Sequence, residues 1–172
     1  MDVEIVYENH WFEIHKRGHY HYMNDRSGRG GAVILAIKDR NIIFIRSKRP
    51  AHNGELLELP RGGRDERESF EGCALREFLE ETGYRGEIKH LKRLGSVRPE
   101  TALSNSCIPV FLLTLDKDSV AQTVKDSEVY GRVEYPLASL PGLIRDGELT
   151  DGFTLSALTL LWAHDPSYLM PG

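Results

Sequence analysis

One arginine and three glutamates are the residues of this chain whose types and spacing could do chemistry. Arg76, Glu77, Glu80 and Glu81 lie within the segment GGRDERESFEGCALREFLEETGY, residues 62–84. On a helix, glutamates at i, i+3 and i+4 share one edge, where like charges cost roughly 0.2–0.5 kcal/mol. Bound divalent cations offset this cost, because Mg²⁺ and Mn²⁺ prefer oxygen ligands. The spacing therefore predicts a metal site, and a solvated acidic face is the alternative.

A helix over residues 69–82 would position these side chains. Ser69 is a suitable N-cap, and Gly83 stands where a left-handed residue ends a helix. Apolar residues recur at i, i+4 and i+8, namely Phe70, Ala74 and Phe78. The predicted helix therefore has an apolar face for the core with the acidic edge beside it.

The full set of spacings resembles the Nudix box, G-x5-E-x7-R-E-U-x-E-E-x-G-U, in which U is a bulky apolar residue. Here the fixed positions are Gly62, Glu68, Arg76, Glu77, Glu80, Glu81 and Gly83, and Tyr84 takes the last place. The resemblance implies an α+β fold, an α/β/α sandwich with a mixed β-sheet between helices. It also implies metal-dependent hydrolysis of a nucleoside diphosphate linked to another moiety.

Roles for individual residues follow from the same resemblance. Glu77, Glu80 and Glu81 match the metal ligands, for Mg²⁺ or Mn²⁺, and the backbone carbonyl of Arg61 is a further oxygen ligand. Arg76 and Glu80 belong to the catalytic group. Glu68 is expected to orient Arg76, which can also reach Glu80, or to hold a metal-bound water.

Segments outside the box resemble the ADP-ribose pyrophosphatase branch. An arginine ending a strand binds the pyrophosphate there, and a glutamate precedes an apolar residue and proline; Arg49 and Glu58 occupy these places, with Arg46 as the alternative arginine. Pro99 lies fifteen residues beyond Tyr84, the spacing of the proline that marks this branch. The chain departs from the usual P-A-G, reading Pro60-Arg61-Gly62.

A separate carboxylate is expected to act as the catalytic base, because bound cations hold the metal ligands ionised. In relatives this base lies in a loop before a late strand, and Glu128 is the nearest match. Asp126 and Glu134 are its acidic neighbours, and Glu100, beside the marker proline, is the next candidate.

Composition limits the possible partners. The chain has 172 residues, a formal net charge of −4, 40% hydrophobic and 28% charged residues. These values suit one soluble domain over residues 1–172, and no basic run indicates a nucleic-acid partner. No apolar run approaches membrane-spanning length, so a cytoplasmic protein is expected. Cys73 and Cys107 are expected to be small core residues and not a disulfide.

The N-terminal residues 1–30 read as an antiparallel β-hairpin or small meander, with runs at 3–7, 11–15 and 19–23. Its aromatic content predicts a homodimer. Trp11, Tyr20 and Tyr22 are candidates either for stacking on an adenine or for packing on a partner subunit. Three nearby histidines form a possible metal site or simply pack, namely His15, His19 and His21.

Beyond this extension, apolar runs at 32–37, 41–46, 55–59, 86–97, 108–115 and 132–135 predict strands, with helices over 137–143 and 154–163. The expected substrate is small: ADP-ribose, giving AMP and ribose 5-phosphate. The alternatives are hydrolysis of dinucleoside polyphosphates or of another nucleotide sugar, and a non-catalytic domain that binds ADP-ribose-like ligands.

Overall fold

The computed structural model describes residues 2–25, 30–123 and 129–168, so Asp126 and Glu128 lie outside the described residues. Ten strands and three α-helices are present in this part of the chain. The strands are β1 (Glu4–Glu8), β2 (Phe12–Arg17), β3 (Tyr20–Asp25), β4 (Gly31–Lys38), β5 (Asn41–Arg49), β6 (Gly54–Glu58), β7 (Arg61–Gly63), β8 (Leu91–Val97), β9 (Ile108–Leu115) and β10 (Val129–Pro136). The helices are α1 (Phe70–Thr82), α2 (Leu140–Arg145) and α3 (Gly152–His164).

A mixed seven-stranded sheet forms the centre of the fold, with the order β10-β5-β4-β9-β8 and with β6 on β5 and β7 on β4. The β4–β9 pair is parallel and the other pairs are antiparallel. Residues of β4 are buried along almost the whole strand, as expected for a central strand covered on both faces.

The two faces of the sheet carry separate hydrophobic clusters. On one side Ala32, Ile34 and Ala36 of β4 pack with Cys73, Ala74 and Phe78 of α1. On the other side Val33, Leu35 and Ile37 pack with Ala157, Leu158 and Leu161 of α3. This alternation follows the two-residue period of a strand. The predicted α/β/α sandwich is confirmed.

The N-terminal extension is a three-stranded antiparallel sheet, β1-β2-β3, which is the small meander and not the simple hairpin of the two predicted alternatives. Met23 joins it to the rest of the fold. The amide of Met23 donates to the carbonyl of Leu103 at 2.6 Å, and the amide of Asn105 donates to the carbonyl of Met23 at 3.3 Å. His15 of β2 lies opposite Tyr22 and His21 of β3 lies opposite Lys16, so these two histidines point to opposite faces of the sheet, and His19 lies in the turn between the strands.

Two further expectations need correction. Strand β5 continues to Arg49, beyond the predicted limit at residue 46, because Lys48 and Arg49 pair with Glu55 and Gly54 of β6. Both cysteines are free, as expected, but only Cys73 is buried; Cys107 is exposed, just before β9. None of the described helices is both long enough and apolar enough to cross a bilayer.

Candidate active site

Helix α1 begins and ends where its capping residues dictate. The amide of Gly72 donates to the hydroxyl of Ser69 at 3.0 Å. Gly83 has a φ of 75°, and its amide donates to the carbonyl of Leu79, which is the left-handed ending that glycine accepts without strain. With Ala74 and Phe78 fully buried against the sheet, the acidic edge is fixed beside β7.

Arg76 is the hub of this edge. Its guanidinium donates to both carboxylate oxygens of Glu68 at 3.0 Å. Its Nη1 also donates to Glu77 at 2.7 Å and to Glu80 at 3.1 Å. Its Nη2 donates to the carbonyl of Gly63 at 2.7 Å, which ties the helix to β7. The expected pairing of Arg76 with Glu68 and Glu80 is present.

Glu81 is held separately, by the backbone of β7. Glu81 is 7% exposed, and its carboxylate accepts a hydrogen bond from the amide of Arg61 at 2.9 Å.

Gly62 leaves the space that the carboxylate of Glu77 occupies. A Cβ at Gly62 would lie 2.1–2.3 Å from the carboxylate atoms of Glu77, so only glycine permits this approach.

Burial and the Arg76 charge set the protonation of these acids. Burial raises the pKa of Glu77 above its usual value, although the hydrogen bond from Arg76 opposes this shift. The hydrogen bond from Arg76 lowers the pKa of Glu68. The same bond raises the pKa of Arg76 itself. The arginine therefore remains charged and acts as the counter-ion of the cluster.

The donor set fits a hard divalent cation in its chemistry. Glu77, Glu80 and Glu81 supply carboxylates from one helix edge, and the missing side chain of Gly62 leaves Glu77 room against β7. In the described ranges, however, no three acidic, histidine or cysteine side chains converge on one metal position. Glu77 and Glu80 turn to Arg76, while Glu81 turns to the amide of Arg61.

A second cluster forms where β5, β6 and β7 end. Glu58 is fully buried and accepts hydrogen bonds from Arg49 at 2.5–3.1 Å. It also accepts one from Nη2 of Arg61 at 3.1 Å. The same nitrogen lies 3.4 Å from Asp151, the N-cap of α3, whose carboxylate accepts from the amide of Thr154. The hydrogen bond to Glu58 raises the pKa of Arg49.

Two adjoining cavities connect the clusters. The first, named the box cavity, has about 340 Å³ and is lined by His10, Trp11, Asp25, Gly30, Gly63, Arg64, Asp65, Arg76 and Glu77. The second, named the arginine cavity, has about 410 Å³, and its lining includes Asp25, Gly30, Gly63, Arg49, Arg61, Ser106, Ile108 and Phe153. The shared lining residues make them two halves of one cleft.

Other candidate residues lie in different places. Arg46 is on β5 opposite Gly131, whereas Arg49 lines the arginine cavity. Pro99 is exposed, two residues beyond β8. Glu100 lines an apolar cavity with Met23 and Leu103, away from the box residues.

Glu134, an acidic neighbour of the candidate base Glu128, lies away from the cleft. Glu134 accepts a hydrogen bond from the hydroxyl of Tyr84 at 2.7 Å. That hydroxyl also accepts from Lys38 at 3.1 Å, so Glu134 belongs to a polar group beneath the end of α1. Glu128 lies outside the described residues.

Several residues of the cleft had no assigned role at the level of sequence. Phe153 reaches the arginine cavity from the start of α3, and Asp25 reaches both cavities from the end of β3. Asp151 does not line the cavity but contacts Arg61, which does. Asp151 carried one signal, an acid at a helix N-cap position, but that indicates capping and not a cleft.

Comparison with known proteins supplies the family. A family model described as NUDIX domain matches residues 28–152. The ADP-sugar pyrophosphatase of Mus musculus is 36% identical over 77 residues, 45% of this chain and 34% of that protein, so the chain spans about a third of it. The GDP-mannose pyrophosphatase of Citrobacter koseri is 29% identical over 165 residues, 90% of this chain and 81% of that protein.

A solved structure described as ADP compounds hydrolase has the same fold. It superposes with a TM-score of 0.78 at 22% identity, covering 97% of this chain and 93% of that one. The family match includes the whole segment from Gly62 to Tyr84, and most of the central sheet lies within it. The chain therefore belongs to the NUDIX domain family.

Proposed function

We propose that this chain hydrolyses the diphosphate linkage of a nucleoside diphosphate joined to another moiety, and that its substrate is ADP-ribose, which gives AMP and ribose 5-phosphate. One observation carries the proposal: strand β7 is hydrogen-bonded to the acidic edge of α1 and also lines both halves of the cleft. The names of the mouse and Citrobacter relatives, both pyrophosphatases of nucleotide sugars, support it.

The acidic edge is the proposed metal site. Glu77, Glu80, Glu81 and the backbone carbonyl of Arg61 would hold Mg²⁺ or Mn²⁺. A divalent cation bound there supplies positive charge that stabilises the diphosphate as it is cleaved. Arg76 orients Glu77 and Glu80 through hydrogen bonds from Nη1, and Glu68 fixes Arg76 through two hydrogen bonds.

The two cavities of the cleft are proposed to bind different parts of the substrate. Trp11 and His10 give the box cavity an aromatic edge, their rings 4.9 Å apart and nearly perpendicular. Trp11 is 76% exposed, so one face is open for stacking on a base. Arg49, held by Glu58, is the proposed contact for the diphosphate, in preference to Arg46, because Arg49 lines the cleft.

Incubation with Mg²⁺ and a set of nucleotides, followed by product analysis, tests this function. ADP-ribose should be converted to AMP and ribose 5-phosphate faster than diadenosine polyphosphates. Faster turnover of the polyphosphates would refute the substrate and leave the reaction class intact. Binding of ADP-ribose without turnover under any metal would refute the enzymatic proposal.

Glu128 is the proposed catalytic base, because its position in the chain resembles that of the base in relatives, in the loop before a late strand. The base must be a carboxylate that does not itself bind the metal. Glu134 is less suitable because its carboxylate accepts a hydrogen bond from the hydroxyl of Tyr84. Glu128→Gln should lower kcat by about 10²–10⁴-fold with little change in KM, the usual range for a lost general base. Asp126→Asn is the matched control and should change kcat far less. A Glu128→Gln enzyme within a few-fold of wild type would move the role elsewhere.

A homodimer is also proposed, paired through the N-terminal sheet. Large apolar side chains are exposed along β1 and at the start of β3, including Ile5, Tyr7 and Tyr20. Several large apolar side chains exposed on one small sheet are typical of an interaction site in soluble proteins. Light scattering should give twice the chain mass of 19.5 kDa. A single-chain mass at assay concentrations would refute pairing.

A further inference from the structure

The arginine cavity contains two guanidinium groups that share one carboxylate. Nη2 of Arg49 and Nη2 of Arg61 contact the same oxygen of Glu58, at 2.5 Å and 3.1 Å. Glu58 cannot move away, because it is fully buried at the end of β6. The two arginines are therefore held side by side, and their positions are set before any ligand arrives.

Donors remain available on both arginines. The side chain of Arg49 uses Nε and Nη2, and the side chain of Arg61 uses Nη2, for every side-chain hydrogen bond that they make with described residues. Nη1 of each group is thus without an acceptor within the described ranges, and both side chains line the cavity. Ser106, which lines the cavity as well, can donate from its hydroxyl while accepting from Ser104 at 2.8 Å.

The charge of this cluster is balanced. Arg49 and Arg61 carry two positive charges, and Glu58 and Asp151 carry two negative ones. Asp25 adds a further acid to the lining of the cavity. Beyond the diphosphate that Arg49 is proposed to contact, hydrogen-bond donors in a site without surplus positive charge suit hydroxyl groups better than a third phosphate, which needs uncompensated cations.

Phe153, the aromatic residue in the described lining of the arginine cavity, offers a second base only a reduced stacking surface. The guanidinium carbon of Arg61 lies 4.5 Å from the centre of the Phe153 ring, so one ring face is covered by the arginine. Nε of Arg61 is buried and makes no hydrogen bond with described residues. An unsatisfied buried donor is destabilising, so this placement of Arg61 is not one that stability alone favours.

We propose that Arg61 is the specificity-determining residue of the arginine cavity, and that this cavity takes an uncharged, hydroxyl-bearing sugar at the distal end of the diphosphate and disfavours a second nucleoside. The inference rests on the proposed function and narrows it. It assigns to the Arg61 side chain a contact with the sugar hydroxyls, separate from the contact that its backbone amide makes with Glu81.

A matched pair of substrates tests this assignment. ADP-ribose and diadenosine diphosphate share the adenosine and the diphosphate, and differ only by a base on the distal ribose. Wild-type kcat/KM should favour ADP-ribose by at least about tenfold. Arg61→Ala should lower kcat/KM for ADP-ribose by about 10- to 100-fold, mainly through KM, as expected for lost charge-assisted hydrogen bonds.

ADP serves as the control ligand because it has no distal sugar. Its inhibition constant should stay within about twofold of wild type in Arg61→Ala, since the lost contact is not one that ADP makes. Arg61→Lys keeps the charge and loses the planar fork. It should keep the wild-type melting temperature and ADP inhibition and still lose preference for ADP-ribose.

Equal losses for ADP and ADP-ribose would overturn the inference, because they would mean that Arg61 acts on the diphosphate or on the box. Unchanged selectivity in both variants would overturn it as well. If neither variant folds, wild-type kinetics with distal deoxyribose analogues decide: loss of no more than twofold on removing each hydroxyl contradicts the assignment. Failure of the wild type to hydrolyse either substrate refutes the proposed function instead.

Discussion

Replacing Gly62 by alanine should disable the acidic edge while leaving the fold in place. The new Cβ would lie 2.1 Å from Cδ of Glu77 and 2.2–2.3 Å from its two oxygens. Ordinary contacts are about 3.5 Å, so the carboxylate must retreat by about 1 Å. Its retreat is opposed by Arg76, which holds one oxygen at 2.7 Å.

The size of the effect on stability and on kcat follows from the displacement of the Glu77 carboxylate. Overpacking of this kind costs about 1–3 kcal/mol of stability, and the carboxylate can relieve part of it by rotating. A displacement of about 1 Å at a catalytic group costs on the order of 10²-fold in rate. We therefore expect Gly62→Ala to lower kcat by about 10²-fold with a much smaller relative loss of unfolding free energy.

Gly63 provides the matched control, because a Cβ at that position meets nothing within 4 Å. Both variants should be compared in ADP-ribose hydrolysis with Mg²⁺, in direct Mn²⁺ binding and in thermal unfolding. Gly63→Ala should remain near wild type in all three. Wild-type turnover in Gly62→Ala, or equal losses in the two variants, would show that the space beside Glu77 is not what this glycine supplies.

Three further outcomes are expected. Glu81→Gln should nearly abolish turnover and weaken Mn²⁺ binding while the circular dichroism spectrum is unchanged, and wild-type enzyme in excess chelator should be inactive; full activity in either case contradicts the metal site. Glu68 has a lowered pKa in the folded state, so its pair with Arg76 stabilises the fold above the ordinary glutamate pKa and is lost as pH falls through the folded value. In Glu68→Gln the melting temperature should therefore fall less steeply than in wild type as the pH is lowered from about 6 to about 3. An unchanged dependence of melting temperature on pH would show that Glu68 does not stabilise the fold in this way. Cys73 has its pKa raised to about 11 by burial, so one equivalent of a thiol reagent should label Cys107 in the native protein, and labelling of Cys73 before unfolding would contradict the packing of α1.

Much of the fold could be predicted because local signals agreed with tertiary packing. Ser69 and Gly83 mark the two ends of α1 through caps that need only neighbouring residues. The turn at Asp39 and Arg40, both with positive φ, separates two strands whose apolar runs identify them. Strand β9 has the predicted limits, 108–115, because nearly every residue in it is buried.

The resemblance singled out Arg49 and Glu58, but the contacts of Arg61 with Glu58 and Asp151 could not be predicted from sequence. The cluster of these side chains depends on contacts between residues far apart in the chain, such as Arg61 with Asp151, and no periodic pattern records them. Strand β7 is three residues long and contains two glycines, so it carries no strand propensity; its pairing with β4 comes from the sheet itself. Cys107 was expected inside because cysteine is usually buried, but it precedes β9 in an exposed connection.

The parallel pairing of β4 with β9 also bears on how the protein folds. Val33 lies opposite Val110, and β5, β6, β7, α1 and β8 all lie in the chain between them. Closing so long a loop is slow, because its entropy is lost before the strand contacts compensate. During synthesis the acidic segment emerges well before β9, so a nascent chain can hold every residue of the box and still lack the completed sheet that positions them. The sheet against which α1 packs is then completed only late in folding, after β9 has emerged and paired with β4.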